Sequence, residues 1–256
     1  GVVTGAPVTA ELRVVGEDEL DHEAHARLQQ QVFGPVLAEN GIPIERLAQE
    51  VFAWKYAPPF GEARTAIAER DGELLACCSI VPVELGVGEH RVRGWQLTDA
   101  ATAPVARRTG LFGRIMQALC DEAAGSDWLF GFPNALSRDG FARAGFVVAG
   151  NVPLRVRPVI SEGRSVAGVE PVERFGTAQD ELAARLVAKG NLTTVRSAAY
   201  LNWRYVQHPF FRYQSFQLRR EGRADGVLVL SRSEARGRAS LWVMELVAVD
   251  DEGARE

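Results

Sequence analysis

Apolar residues recur at two different spacings along this chain, and each change of spacing marks an element. Apolar runs over residues 11–15, 63–69, 74–83 and 95–102 predict strands, and Asp71-Gly72 between the second and third predicts a tight hairpin. Helical spacing appears at 19–33, where Leu20, Ala24, Leu28 and Val32 share a face. It returns at 44–56, with Leu47, Val51 and Trp54 aligned; Gly34-Pro35 and Gly41-Ile42-Pro43 are read as breaks. From Gly110 onward, Leu111, Ile115 and Leu119, with Phe112 and Met116 beside them, give a third helix one apolar face. Residues 128–133 read as a buried strand, and 147–159 is expected to supply the last strands, with Pro153 and Pro158 at an edge or bulge. A polar, Gly-rich run at 160–171 predicts a linker; a helix follows over 177–189, with Thr177 as N-cap and Gly190 as stop. The order is strand, two helices, three strands, helix, strand, helix, strand, an α/β (α+β) chain.

The pattern then repeats in part. Trp54-Lys55-Tyr56 and Trp203-Arg204-Tyr205 lie 149 positions apart, and each is followed by Pro and Phe and then by a strand. Glu221-Gly222 stands in the place of Asp71-Gly72, and Trp242 answers to Trp95. This divides the chain into a complete unit over 1–159, a linker over 160–176 and a partial second copy over 177–256. Coincidence of two short W-x-Y tripeptides is the competing explanation; the length of the second region favours the repeat.

Candidate chemistry concentrates in residues 96–113, QLTDAATAPVARRTGLFG. A strand that feeds a helix through Arg107-Arg108-Thr109-Gly110 offers free backbone amides, the positive end of a helix dipole and two guanidinium groups to an anion. Alone, such a turn fits a solvated basic loop equally well. Downstream, 134–146 reads NALSRDGFARAGF. These two stretches, in this order, resemble the GNAT superfamily of acyl-coenzyme A-dependent N-acetyltransferases. Arg107, Gly110 and Phe112 fill its Q/R-x-x-G-x-G/A phosphate loop, and Asn134, Ser137, Phe141, Gly145 and Phe146 fall on its second motif. Phe112 departs from the small residue usual there, and Phe141 from the usual Tyr.

The resemblance implies the GNAT fold: a mixed, mostly antiparallel sheet flanked by helices, with a second partial GNAT-like domain if the repeat holds. It implies acetyl-coenzyme A, or another acyl-coenzyme A, as co-substrate, and no metal. The strand end at Ala100, Ala101 and Thr102 would bind the pantetheine arm and the acyl carbonyl through main-chain groups. Val105, Arg107, Arg108, Thr109, Gly110, Leu111 and Phe112 would cradle the pyrophosphate, and Asn134, Ser137 and Phe141 would line the arm. One coenzyme A site is expected, because the second copy reaches Glu256 with no Arg-x-x-Gly-x turn.

Transfer requires deprotonation of an ammonium, attack on the thioester carbonyl, oxyanion stabilisation and thiolate departure. Asp99, on the strand beside the thioester, is the candidate catalytic base; a structural hydrogen-bonding role at a bulge suits it equally. Gln96 holds a place where some members carry a catalytic Glu, and Phe141 removes the family's usual Tyr acid. Trp54, Tyr56, Gln96, Trp203, Tyr205 and His208 are candidates for the acceptor site, with core packing the competing role for each Trp. The leading expectation is an N-acyltransferase for a small-molecule amine, such as an amino sugar or natural product. A peptide or protein N-terminal acetyltransferase and a non-catalytic coenzyme A-binding module are the alternatives.

Composition adds exclusions. The 256 residues carry a net charge of −4, which argues against a general nucleic-acid or anionic-membrane binder. No run approaches the ~20 apolar residues of a membrane span. The first residues lack the charged start and apolar stretch of a signal peptide, so a cytoplasmic location is expected. Cys77, Cys78 and Cys120 have no metal-binding spacing and read as free thiols. Nothing in the sequence bears on oligomeric state.

Overall fold

The computed structural model describes residues 9–153, 155–156, 158, 166–235 and 238–249. Its first half is a sheet in the order β1-β2-β3-β4-β5: β1 (Glu11–Val15), β2 (Arg64–Arg70), β3 (Glu73–Val87), β4 (His90–Thr102) and β5 (Trp128–Gly131). All neighbours are antiparallel except β4 and β5. Helices α1 (His22–Glu39) and α2 (Gln49–Tyr56) cover one face and α3 (Leu111–Glu122) covers the other. With both faces covered, β3 is buried without interruption from Leu74 to Val81, which accounts for its continuous apolar run. On the α3 side, Leu111, Ile115, Met116 and Leu119 pack on Ala66, Ala68, Leu75 and Ile80; each of those four helix side chains contributes roughly 1.5–3 kcal/mol by leaving water.

Three expectations shift. Helix α1 does not stop at Gly34-Pro35 but runs to Glu39. Pro35 and Gln31 are exposed, so the carbonyl that loses its amide partner faces water, and Asn40 closes the end through its N–H to Leu37 O (3.1 Å) and its Nδ2 to Val36 O (2.8 Å). The helix read over 44–56 is a 3₁₀ turn, Ile44–Leu47, and then α2, divided by an extended Ala48. Residues 147–153 form no strand, so β5 is the edge of this sheet among the described residues; part of 154–165 lies outside them.

The second half holds β6 (Val169–Pro171), α5 (Thr177–Ala188), β7 (Thr193–Thr194), α6 (Ala198–Leu201) with a π-type turn at Asn202–Val206, and then β8 (Tyr213–Arg220), β9 (Arg223–Ala235) and β10 (Arg238–Ala248). Gly176, rather than Thr177, is the N-cap of α5. The second sheet runs β10-β9-β8-β6, over a core of Phe175, Leu182, Leu201, Tyr205, Val227 and Val229.

The halves are joined at the backbone. β7 pairs with β3 at Leu85 and Gly86, and Gly88 N–H donates to Val187 O (3.0 Å). Gly86 makes this possible, since a Cβ there would lie 2.5 Å from Val187 Cγ1. A second joint is reciprocal: Trp54 Nε1 donates to Trp203 O (2.9 Å), Trp203 Nε1 donates to Trp54 O (3.0 Å), and the rings stack at 5.2 Å. Among the described residues no helix is long and apolar enough to cross a membrane.

Candidate functional site

The parallel pairing of β4 with β5 runs only from Gly94–Trp128 to Leu97–Gly131, and beyond it the two strands part. Gly94 lets them start close together: a Cβ there would sit 3.0 Å from the Trp128 carbonyl oxygen. Where they part lies a cleft of about 350 Å³, walled by Thr98, Asp99 and Ala100 on one side and by Pro133, Asn134 and Phe141 on the other. Gln29, Phe33, Leu37, Arg46 and Leu47 close its far wall.

β4 bulges at this point. Thr98 pairs with Ser79 and Ala101 with Cys77, which leaves Asp99 and Ala100 together opposite Cys78. Asp99 takes a left-handed conformation, φ +54°, which Asp tolerates better than most residues. Three residues hold it there through four contacts. Gln29 Nε2 donates to its carbonyl (2.7 Å), Lys55 Nζ reaches Oδ1 (2.9 Å) and Oδ2 (2.8 Å), and Tyr56 Oη donates to Oδ2 (2.9 Å). Lys55 Nζ also donates to Thr98 Oγ1 (2.8 Å), so this ammonium spans the bulge.

Charge states follow. Burial pushes the Asp99 carboxyl up, but the charge and hydrogen bond of Lys55, with the Tyr56 hydroxyl, outweigh it and hold Asp99 below the usual carboxylate range. Burial is the main cause that lowers His25 to about 4, against the pull of Asp99, so its ring is neutral. Burial and then Asp99 raise Tyr56 well above its usual value, so it stays a donor. A carboxylate only accepts, so the Tyr56 proton points at Asp99; its oxygen then accepts from His25 Nε2 (3.2 Å), which places the His25 proton on Nε2. Cys77, buried beneath, is pushed up to about 12 by burial and then by Asp99, and stays a neutral thiol.

This corrects the free-base picture of Asp99: its carboxylate is ion-paired and doubly bonded before any substrate arrives. It also corrects Tyr56, which is fully buried and holds Asp99 rather than meeting an acceptor. His25, Gln29, Lys55 and Thr98 were not foreseen as site residues. The signal for the first two was present: two polar residues at i and i+4 on the inward side of an amphipathic helix.

On the opposite side of β4, α3 begins immediately after Gly110, φ +81°. Nothing lies within 4 Å of the place a Cβ would take on Gly110. The amides of Leu111, Phe112 and Gly113 precede the first bond of the helix, Arg114 N–H to Gly110 O (3.2 Å), and have no acceptor within it. Arg108 also has positive φ, +63°. Arg107 and Arg108 are exposed, Val105 is 71 % exposed, and Thr109 is tied to Ala106 O (2.7 Å). Arg107 Nε donates to Thr102 O (3.3 Å), folding its side chain toward the strand end. The turn thus presents amides and two guanidinium groups around an open glycine, and it fits a pyrophosphate. Leu111 and Ala101 are core side chains, so only their backbone can serve.

Phe112 does not face the turn. Its ring lies over Gly140, where a Cβ would meet Cε1 at 2.3 Å, and 6.5 Å from the Phe141 ring. The unusual Phe at 112 is therefore accommodated by glycine at 140, and its side chain is packing rather than ligand-binding. Phe141 is buried and lines the cleft, with its ring against Gly131. Asn134 Oδ1 accepts from the amides of Leu136 (2.9 Å) and Ser137 (3.0 Å) and from Ser137 Oγ (3.2 Å), which shapes the entry to the short helix α4 (Arg138–Arg143). Among the described residues the Asn134 amide nitrogen has no acceptor.

The other acceptor-site candidates disperse. Trp54 and Trp203 form the inter-half joint. Tyr205 is buried against Glu245 Oε2 (3.2 Å), and Gln96 sits within the ladder between Val81 and Phe130, away from the cleft lining. His208 Nδ1 accepts from the amides of Phe210 (3.1 Å) and Phe211 (3.0 Å), which makes it the cap of a turn.

Comparison with known proteins fits this geometry. The acetyltransferase (GNAT) domain family matches residues 12–149. The crystal structure of a GCN5-related N-acetyltransferase from Anabaena variabilis superposes with a TM-score of 0.62 at 14% identity, over 95% of this chain and 60% of that one. Eis1 from Mycobacterium abscessus superposes with a TM-score of 0.56 at 17% identity, over 96% of this chain and 61% of that one. The chain thus spans about three-fifths of the length of these two proteins, and at such identities the likeness is one of fold. Among curated proteins, none matches the chain. The family match covers more than half of the chain, including both walls of the cleft and the open glycine turn, and the chain belongs to the GNAT acetyltransferase family.

Proposed function

We propose that the chain is an acyl-coenzyme A-dependent N-acyltransferase acting on the primary amine of a small molecule. The observation that carries this reading is the end of the β4–β5 pairing at Leu97–Gly131 beside a cleft lined by Asp99, Ala100 and Asn134, with β4 leading on to an open Gly110 at the start of α3. The amides of α3 and the guanidinium groups of Arg107 and Arg108 would hold the pyrophosphate of the co-substrate. The backbone that the bulge leaves off the ladder, apart from the Asp99 carbonyl that Gln29 already takes, and the Asn134 amide nitrogen would hold its arm. Acetyl-coenzyme A supplies an activated thioester carbonyl; the amine nitrogen attacks it, and the thiolate leaves.

In this reading Asp99 receives the acceptor's ammonium. Its carboxylate, held ionised by Lys55 and Tyr56, draws and orients the ammonium and passes its proton to water rather than storing it. Phe141 offers no proton to the departing thiolate, so that role also falls to water. A cleft of about 350 Å³, closed on one side by α1 and the 3₁₀ turn, suits a small amine better than an extended peptide.

The second half is read as a partial copy of the first; β6 and Phe175, which fall within the stretch expected to be a linker, pack with it. Three correspondences support it beyond the paired Trp residues. The β2–β3 pairing is irregular between Ala68 and Glu69, and the β8–β9 pairing between Leu218 and Arg219. Asp71-Gly72 and Glu221-Gly222 both turn with positive φ. Tyr56 donates to a part-buried carboxylate on β4, and Tyr205 donates to Glu245, a part-buried carboxylate on β10. The copy carries no counterpart of the Gly110 turn among its described residues, and the coenzyme A site is assigned to the first half.

The test is thermal denaturation with acetyl-coenzyme A, followed by thiol release across a panel of amines. Ligand linkage should raise Tm, by about 2.7 kcal/mol of stabilisation at a hundredfold excess over Kd. Gly110→Glu should abolish the shift by placing bulk and negative charge in the turn. An undiminished shift in the folded variant places the site elsewhere, and binding without turnover on any amine defeats the enzymatic reading.

A further inference from the structure

Where the two halves meet beside the cleft, cations accumulate without acidic partners. Arg46, on the 3₁₀ turn, lines the cleft, and its guanidinium lies 5.2 Å from the Phe211 ring centroid. Arg204 lies 5.9 Å from the Trp54 ring. The two are linked by one aromatic chain, in which His208 packs on Trp54 at 4.2 Å and on Phe211 at 5.1 Å. No carboxylate lies within 4.0 Å of Arg46, Arg204 or Arg212 among the described residues. Lys55, one residue from Trp54, adds a fourth cation at the bulge, and Asp99 already neutralises it.

We propose that this basin receives an anionic group of the acceptor, so that the substrates are amines bearing a carboxylate or phosphate, held by Arg46 and Arg204 with the amine at Asp99. The inference rests on the acyltransferase reading and names its substrate class. Three observations carry it. Arg46 lines the same cleft as Asp99. Among the described residues its arginines lack the ion pairs that Arg185 and Arg196 make with Asp225 and Glu245 in the second half. It also stands out in a chain of net charge −4, where a local surplus of guanidinium groups is not a by-product of composition. The electrostatics agree: burial first, and then Arg204, Arg46 and Arg212, lower His208 to about 4, so the imidazole at the centre is neutral and the arginines carry the basin's charge. Guanidinium groups over aromatic faces are held in place yet keep their N–H edges free for an oxyanion.

The experiment compares matched amines: glucosamine 6-phosphate with glucosamine, and L-phenylalanine with 2-phenylethylamine. Binding is measured by calorimetry in the presence of coenzyme A, which needs no turnover, and kcat/KM by thiol release with acetyl-coenzyme A. The anionic member of at least one pair should be preferred by about tenfold or more, as a charge-assisted contact gives. That preference should collapse toward unity in Arg46→Gln and further in the Arg46→Gln, Arg204→Gln double variant. Equal binding of both members of every pair overturns the proposal. So does a double variant that loses coenzyme A affinity and keeps its amine preference, since the basin would then serve the co-substrate's phosphates. Preferential binding of the anionic amine with no turnover leaves the anionic site standing and removes the acyltransferase reading instead.

Discussion

Replacing Lys55 by Met removes the ammonium that holds Asp99 ionised while keeping most of its stem. In the native protein the pair is close, 2.8 Å, and shielded, with 27% and 15% of the two side chains exposed. Loss of one partner of a fully buried pair costs about 3–5 kcal/mol; the partial exposure here places the cost at about 2–3 kcal/mol. For a chain of this size that lowers Tm by roughly 4–12 °C. The pH dependence is the sharper signature. Asp99 of the native protein sits below the ordinary carboxylate range, so its contribution is present above that range and is lost only as pH falls through the depressed value. Without Lys55, burial dominates and the carboxyl rises, so the variant's deficit is full at neutral pH and shrinks toward pH 4, where its carboxyl is protonated. Removing Lys55 also removes one of the causes that lower His25, so part of the low-pH recovery belongs to that ring, and the coupling is judged at neutral pH, where His25 is uncharged. Adding Asp99→Asn to Lys55→Met should recover about 1–2 kcal/mol, because the uncompensated charge is then gone. The assay is urea and thermal denaturation of the four proteins of the cycle at pH 7.5 and pH 4.5. Additive single effects, with coupling below about 0.5 kcal/mol at neutral pH, would refute the reasoning.

Two further outcomes are expected. Gly140→Ala should cost about 1–3 kcal/mol, because its Cβ meets Phe112 Cε1 at 2.3 Å, and Phe112→Ala in that background should return part of the loss; equal stability of Gly140→Ala and the native protein in urea would show that the ring moves freely. His208, held at about 4 mainly by burial, takes no proton on folding, so stability falls as pH drops from about 6.5 toward about 4, where only the unfolded chain is protonated. His208→Asn keeps an acceptor for the Phe210 and Phe211 amides, and it should make the slope of Tm against pH shallower across that window.

What the sequence by itself determined was whatever depends on near neighbours. Strand β1 has the predicted bounds, and α3 begins one residue after Gly110, because apolar spacing and a glycine able to take positive φ act within a turn of chain. The Gly110 turn and the Asn134 turn were legible for the same reason: each is a local backbone arrangement that a few residue types dictate. The extent of α1 was not, because whether Pro35 breaks a helix depends on which side of the helix faces water. Only the tertiary structure decided the state of Asp99. Its carboxylate meets Lys55 and Tyr56 across more than 40 positions of chain, and its carbonyl meets Gln29 across 70, so no local pattern announces that the carboxylate is already ion-paired. The W-x-Y tripeptides show both limits together. Their likeness was visible at 149 positions, but aromatic composition does not distinguish a substrate wall from a joint, and only the fold brings each indole N–H to the other's carbonyl oxygen.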